Sequence, residues 1–279
     1  MLELNKVYCA EAVQFMKKYI PDNFIDLTVT SPPYDNLRDY NGYIFDFKSM
    51  AHELYRVTKE GGIIVWVVAD ETKNFCETLT SFKQAIYFKE QVGFNVLDTM
   101  IYKKIGSPSP YPNIRRYGNI FEYMFVLSKG KPKTFNPIKD RENKSYGKIN
   151  KGNTTRQKDG TTKPAGDYIP KKFGMRYNVW EYHVGKNKDT KDEIALKHPA
   201  RFPEKLAEDH ILTWSNEGDI VFDPMCGSGT TCKMAYLNNR KYIGIEISQD
   251  YVNVANERLN NIKYNKINIV FDCQQTKDL

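Results

Sequence analysis

The run Ile220-Val221-Phe222-Asp223-Pro224-Met225-Cys226-Gly227-Ser228-Gly229-Thr230-Thr231 constrains the fold of this chain more than any other stretch. Apolar strand formers end on an acid, a Gly-x-Gly turn follows, and Gly229 to Leu237 has helical character. A strand that turns through glycines directly into a helix brings backbone amides close to a ligand, because glycine has no Cβ to hold it off. Around this unit the alternation continues: Glu204 to Thr213 reads as a helix, Asp219 to Phe222 as a strand, Tyr242 to Ile245 as a strand and Gln249 to Asn260 as a helix. Such a β-α-β-α succession is the signature of a doubly wound α/β sheet.

The first 130 residues repeat the pattern. Phe24 to Thr30 is a short buried strand that runs into Ser31-Pro32-Pro33-Tyr34, where two prolines forbid both helix and ladder pairing and turn the chain out of the sheet. Ser49 to Lys59 has helical spacing and stops at Gly61-Gly62, which launches the continuous apolar run Ile63 to Val68 expected of a central parallel strand. A helix over about Thr78 to Val92 and strands over Phe94 to Lys103 and Phe121 to Leu127 complete this half.

Seventeen residues beyond Gly229, Glu246 ends the strand Tyr242 to Ile245, where a carboxylate can accept both hydroxyls of a ribose. Two other nucleotide loops fit poorly. A P-loop needs Gly-Lys-Ser/Thr and the lysine is missing; a dinucleotide fingerprint wants a third glycine where Cys232 stands. Ser31-Pro32-Pro33-Tyr34, taken alone, is an ordinary turn at a strand end, or a set of acceptors and an aromatic face suited to a planar amine.

Taken together, Asp223-Pro224-x-Cys226-Gly227-Ser228-Gly229-Thr230 and Ser31-Pro32-Pro33-Tyr34 resemble the amino-group DNA methyltransferases, over about Val7 to Asn260. The catalytic motif precedes the cofactor loop, an order that matches the β group and implies a circularly permuted, Rossmann-like fold. The resemblance implies S-adenosylmethionine as cofactor, held by Asp223, Pro224, Cys226, Gly227, Ser228, Gly229, Thr230 and Glu246. His198 and Pro199, in His198-Pro199-Ala200-x-Phe202-Pro203, would close the methionine end. Family members carry Gly-Asp where this chain has Ala10-Glu11, so Glu11 is expected to reach the adenine amine. It further implies that Ser31 and the carbonyl of Pro32 accept hydrogen bonds from the target amine, that Pro33 fixes the turn, and that Tyr34 stacks on a base flipped out of double-stranded DNA. Serine at the head of the motif leans toward N4 of cytosine; N6 of adenine is the alternative. RNA and protein amide methyltransferases commonly begin with the cofactor loop and carry Asn-Pro-Pro-Tyr, so order and first residue count against them, and the intact motifs count against an inactive DNA-binding relative. No cysteine follows a proline, so no covalent carbon-5 mechanism is implied.

The middle of the chain differs in texture. Between Lys131 and Glu193 sixteen Lys/Arg stand against eight Asp/Glu with few apolar runs, a composition that cannot build much of a core and that also suits a solvated insertion. Flanked by the two halves and seeded with Tyr146, Tyr168, Phe173, Tyr177, Trp180 and Tyr182, it reads as a DNA-facing module. The expected division is a catalytic half at 1–130, a target-recognition region at 131–195 and a cofactor half at 196–279. Lys171, Lys172 and Arg176 in the middle segment are expected phosphate contacts, and Arg115 and Arg116 beside Lys103-Lys104 either clamp phosphates beside the flipped base or form a solvated face. A net charge of +7 favours such a polyanionic partner. Five scattered cysteines without a Cys-x-x-Cys pair imply no metal, and with no long apolar run the expectation is a cytoplasmic protein. The resemblance leaves open a cognate restriction endonuclease acting on the same site, or a solitary methylase.

Overall fold

Ile63, Ile64, Val65, Trp66, Val67 and Val68 are each at most 1% exposed, which only a strand covered on both faces allows. The computed structural model describes residues 2–33, 45–106, 116–152, 154–185, 188–190, 192–197 and 203–275, without the side chains of 196–197 and 263–275. Tyr34, Arg115, His198 and Pro199 lie outside the described residues.

Eight strands form one sheet: β1 (Lys6–Cys9), β2 (Ile25–Thr30), β3 (Thr58–Val68), β4 (Asn95–Ile105), β5 (Phe121–Ser128), β6 (Val179–His183), β7 (Ile220–Asp223) and β8 (Lys241–Glu246). Their order is β1-β8-β7-β2-β3-β5-β4-β6, and β5 alone runs antiparallel to its neighbours. Among the described residues six α-helices cover it: α1 (Ala12–Tyr19), α2 (Phe47–Val57), α3 (Thr80–Tyr87), α4 (Glu204–Trp214), α5 (Thr230–Leu237) and α6 (Gln249–Gln275). Met16, Leu54 and Phe88, from the α1, α2 and α3 regions, share a core with Ile25, Ile64, Trp66 and Phe222. Strand residues of opposite parity, Leu27, Val29, Ile63 and Val65, are equally buried on the other face, where α4 and α5 pack. Among the described residues no helix is long and apolar enough to cross a membrane.

Several details depart from the sequence reading. β3 begins at Thr58, before Gly61-Gly62, because Gly61 adopts φ +78 and lets the strand continue through the irregularity opposite Ile25 and Leu27. Helix α3 gives way at Phe88 to a π-helical turn, Phe88–Val92, that ends on Gly93 at φ +100. Two short strands, β1 and β6, were not expected. Trp180 and Tyr182, assigned by sequence to a DNA-facing module, belong instead to the core: they are 5% and 6% exposed, Trp180 stacks on His210, and the Tyr182 hydroxyl donates to Asp209 at 2.8 Å. The alternating pattern of Val179 to His183 explains why, since one face of this strand is inward.

The compact middle unit is narrower than 131–195 and spans Pro137–Tyr177. Residues before it pair with the main body, Lys133 N–H to Gly61 and Asn136 N–H to Thr213, and residues after it form β6. Within the unit, Phe173–Gly174 pairs with Arg141–Glu142 and Thr162–Pro164 with Thr154–Arg156, while Arg176 forms an ion pair with Asp140. Pro170 alone of its described residues is buried.

Candidate active site

The two halves of the sheet meet where β2 lies beside β7. From β7 the chain proceeds through α5 to β8 on one side, and from β2 through α2 to β3 on the other. Open α/β sheets bind ligands outside the carboxyl ends of strands at such a reversal. Asp223 ends one strand and Thr30 the other, and the Thr30 hydroxyl donates to Asp223 Oδ1 at 2.8 Å across 193 positions of sequence. The Thr231 hydroxyl, at the start of α5, donates to the Val29 carbonyl at 3.0 Å and adds a second stitch. The motifs recognised in the sequence are therefore contiguous in space, with Ser31 and Pro33 half-buried and Pro32 buried directly after Thr30.

Asp223 is 2% exposed, and burial pushes its carboxyl up to about 6 against the opposing pull of Thr30, the Met225 amide and Thr231. No Lys or Arg pairs with it among the described residues. The loop behind it is held by backbone bonds: Cys226 N–H to Ile245 at 2.9 Å and Gly229 N–H to Cys226 at 2.7 Å. Gly227 and Gly229 have φ of +49 and +77, and a Cβ on Gly229 would stand 2.9 Å from that of Ala255 on α6. Pro224 is buried. Glu246, 9% exposed, receives Gly227 N–H at Oε2 (2.9 Å) and Ser248 N–H at Oε1 (3.0 Å); burial raises its pKa as well. A carboxylate has about four lone-pair sites, so each oxygen can still accept a hydroxyl.

Three side chains of the loop are engaged within the protein. The Cys226 thiol is held well above its usual range by its buried neighbour Cys232. Ser228 and Thr230 meet Arg258, a fully buried residue of α6 whose Nη1 donates to the Ser228 carbonyl (2.5 Å), the Ser228 hydroxyl (3.2 Å) and the Thr230 hydroxyl (3.3 Å). Its remaining nitrogens reach Asp192 and Glu204, and Lys233 bonds the same two acids at 2.7 Å. Lys233 pulls the Asp192 carboxyl below its ordinary range in spite of burial. Sequence reading missed Thr30, Thr231 and this network. Arg258 had a signal: it falls on the buried stripe of Val252, Ala255 and Leu259, where an apolar residue belongs.

Glu11 sits one residue beyond Ala10, whose N–H bonds Glu246. Its carboxylate caps its own helix, accepting Val13 N–H at 3.0 Å and Gln14 N–H at 2.8 Å. Lys103 and Lys104 are paired with Glu181 and Glu122 at 2.7 Å, and Arg116 lies 3.8 Å from Glu77. In the middle unit Lys171 and Lys172 are exposed, the latter over the Phe173 ring. Residues 137–177 hold eleven Lys/Arg and four Asp/Glu, which leaves thirty of each sign in the rest of the chain. The whole positive excess is concentrated there.

An acid with no cationic partner among the described residues, a second acid with spare acceptors, and glycines in left-handed conformation make a donor set suited to a ligand that is cationic at one end and carries hydroxyls. This is the fold of the S-adenosylmethionine-dependent methyltransferases. Solved structures that share it include PvuII DNA methyltransferase (cytosine-N4-specific), with a TM-score of 0.66 at 21% identity over 90% of this chain and 85% of that one. The M1.HpyAVI–SAM complex gives 0.61 at 24% identity, covering 91% and 98%. The chain belongs to the N6/N4 family of DNA methylases, whose model, described as DNA methylase, matches residues 25–257. It is 60% identical over 248 residues to the orphan methyltransferase M.BamHII of Bacillus amyloliquefaciens, covering 88% of this chain and 92% of that protein. It is also 30% identical over 267 residues to the type II methyltransferase M.HpaI of Haemophilus parainfluenzae, covering 91% and 74%. It is thus an enzyme that methylates amino groups of DNA with S-adenosylmethionine.

Proposed function

We propose that the chain methylates N4 of cytosine within a specific double-stranded sequence. The observation that carries this reading is Ser31 at the head of the Ser-Pro-Pro-Tyr motif, directly after Thr30, whose hydroxyl bonds Asp223; the name of the PvuII relative adds support. When bound, S-adenosylmethionine supplies an electrophilic methyl on a sulfonium. Asp223 attracts the cationic methionine end, Glu246 accepts the ribose hydroxyls, and the loop from Pro224 through Cys226, Gly227, Ser228, Gly229 and Thr230 offers its backbone. His198 and Pro199 close the methionine end. Glu11 serves as a helix cap in this reading. Ser31 and the Pro32 carbonyl accept hydrogen bonds from the amine, orienting its nitrogen toward the methyl, and Tyr34 stacks on the extruded base.

Residues 137–177 carry target recognition, supported by their share of the positive charge. Lys171 and Lys172 contact phosphate there. Arg176 supports the unit through its pair with Asp140, and Arg115 and Arg116 are assigned to phosphates near the catalytic loop. The enzyme acts in the cytoplasm, and the orphan designation of the M.BamHII relative favours a solitary methylase over one paired with a nuclease.

The test is mass spectrometry of nucleosides from DNA of cells expressing the chain. N4-methyldeoxycytidine is the expected product; N6-methyldeoxyadenosine alone would overturn the base assignment. Sequencing that maps the modified positions then gives the recognised site.

A further inference from the structure

Six non-glycine residues adopt positive φ among the described residues, and four of them are asparagines, which tolerate it. The other two, Phe75 at +61 and Leu79 at +55, lie within one short stretch. Asn74 and Phe75 form the two-residue tip of a hairpin whose arms are Thr72–Lys73 and Cys76–Glu77, and a two-residue turn with both φ positive favours Asn-Gly. Phenylalanine at the glycine position is strained, and its side chain gains nothing from the fold, being 87% exposed. Strain that the protein's own packing does not repay points to a role toward a partner.

The hairpin is held firmly at its base. Asp70 accepts the Ser81 amide at 2.8 Å and the Ser81 hydroxyl at 2.6 Å, and Thr78 N–H bonds the Glu71 carbonyl at 2.9 Å. Its place in the sheet is informative. It follows the carboxyl end of β3, and β3 is the immediate neighbour of β2, with Trp66 in register with Thr30. The tip therefore rises from the same edge as Ser31, one strand over, where neighbouring strands are about 4.8 Å apart. The entrance to β5 lies at this edge too, because β5 is antiparallel; there Arg116 approaches Glu77 and Tyr117 is 99% exposed. Lys73 on one arm stands next to the tip, and Arg116 is paired with Glu77 on the other.

Resting on the proposed action on an extruded base, we propose that Phe75 is an apolar wedge that enters the duplex beside the target pair and fills the space the departing base leaves. An aromatic ring inserted between base steps offsets part of the unstacking cost, and the fixed hairpin presents it without loss of conformational freedom. The ring acts on the extrusion equilibrium and makes no contact with the reacting atoms, so Phe75 is a positioning residue.

The test uses full-length Phe75→Ala and Phe75→Gly on two duplexes carrying the site mapped as above, one fully paired and one with an abasic position opposite the target. On the paired duplex both variants are expected to lower kcat/KM by about tenfold, the scale of a lost base–aromatic stack. On the abasic duplex, where extrusion is already easy, they should stay within about threefold of the unaltered enzyme. Phe75→Gly should also melt at a higher temperature than the unaltered protein, since glycine accepts the turn without strain. Equal losses on both duplexes, or none on either, overturn the wedge. So does a loss of self-association in sedimentation without a change in the ratio between duplexes, which would assign Phe75, with exposed Leu79, Phe82 and Ile86, to a contact between copies. Absence of any methylated base in the mapping experiment would instead count against the functional reading itself.

Discussion

Replacing Asp223 by Asn separates what this carboxylate costs the fold from what it gives the cofactor. Its pKa is raised from 3.8 to about 6, so the folded protein holds a proton that the unfolded chain releases. The stability this confers is present below about pH 4 and is lost as pH rises through about 6. Linkage gives a penalty on the order of 2 kcal/mol at pH 5 and about 3 kcal/mol at pH 8 for the ligand-free protein. Asparagine removes the charge and keeps the geometry. Its carbonyl can accept the bonds that Thr30 and Met225 now make to Oδ1, and its amide can donate to Thr231. Asp223→Asn should therefore be more stable than the unaltered protein, by an increment that grows by on the order of 1 kcal/mol between pH 5 and pH 8. At roughly 2–4 °C per kcal/mol, the melting temperature at pH 8 should rise by about 6–12 °C. Its affinity for S-adenosylmethionine should meanwhile fall about tenfold or more, the value of a charge-assisted contact. Thermal unfolding across pH, with and without cofactor, measures both quantities. A variant that is less stable at every pH, or that binds cofactor with unchanged affinity, refutes the reasoning.

Three further outcomes are expected. In the unaltered protein, cofactor affinity measured by calorimetry should fall by about tenfold per pH unit once pH drops below about 6, because a cation prefers the ionised Asp223; a flat profile between pH 5 and 7 would exclude that contact. Arg258→Met should destabilise the protein by about 3–5 kcal/mol, since it leaves Asp192 and Glu204 with Lys233 as the remaining cation of the network, and should weaken cofactor binding by loosening Ser228 and Thr230. Arg258→Lys should recover part of the stability and little of the affinity, as measured by urea unfolding and titration. Replacing Lys171 and Lys172 together by Ala should reduce the slope of log DNA affinity against log salt by about 1.8 and leave cofactor affinity unchanged; an unaltered slope would make them a solvated surface.

The sequence exposed those parts of the molecule that rest on local chemistry. Long apolar runs such as Ile63 to Val68, the turn through Gly227 and Gly229, and the acids at strand ends are visible one window at a time. Strands β1 and β6 were missed because four or five residues carry too weak a pattern, and β6 was further masked by the charged stretch around it. Thr30 and Arg258 were missed for another reason: their partners lie 193 and between 28 and 66 residues away, and only the folded chain brings them together. That Glu11 caps its own helix, with one amide on each carboxylate oxygen, is likewise a contact the sequence does not display.

The seam between β2 and β7 is joined by only two register pairs, Val221 with Leu27 and Phe222 with Thr28, and by the stitches of Thr30 and Thr231. During synthesis β2 is made early and its partner 193 residues later. At ~5–20 residues per second the ribosome leaves that strand edge unpaired for about 10–40 s. For that interval the growing chain carries an apolar edge with its N–H and C=O groups open, an edge that invites aggregation and chaperone capture. Closure waits for the synthesis of β7, and the same event that covers the edge creates the cofactor pocket. A ligand that bridges the seam binds only once β7 and β8 are in place, so supplying S-adenosylmethionine during expression should raise the yield of soluble enzyme by mass action.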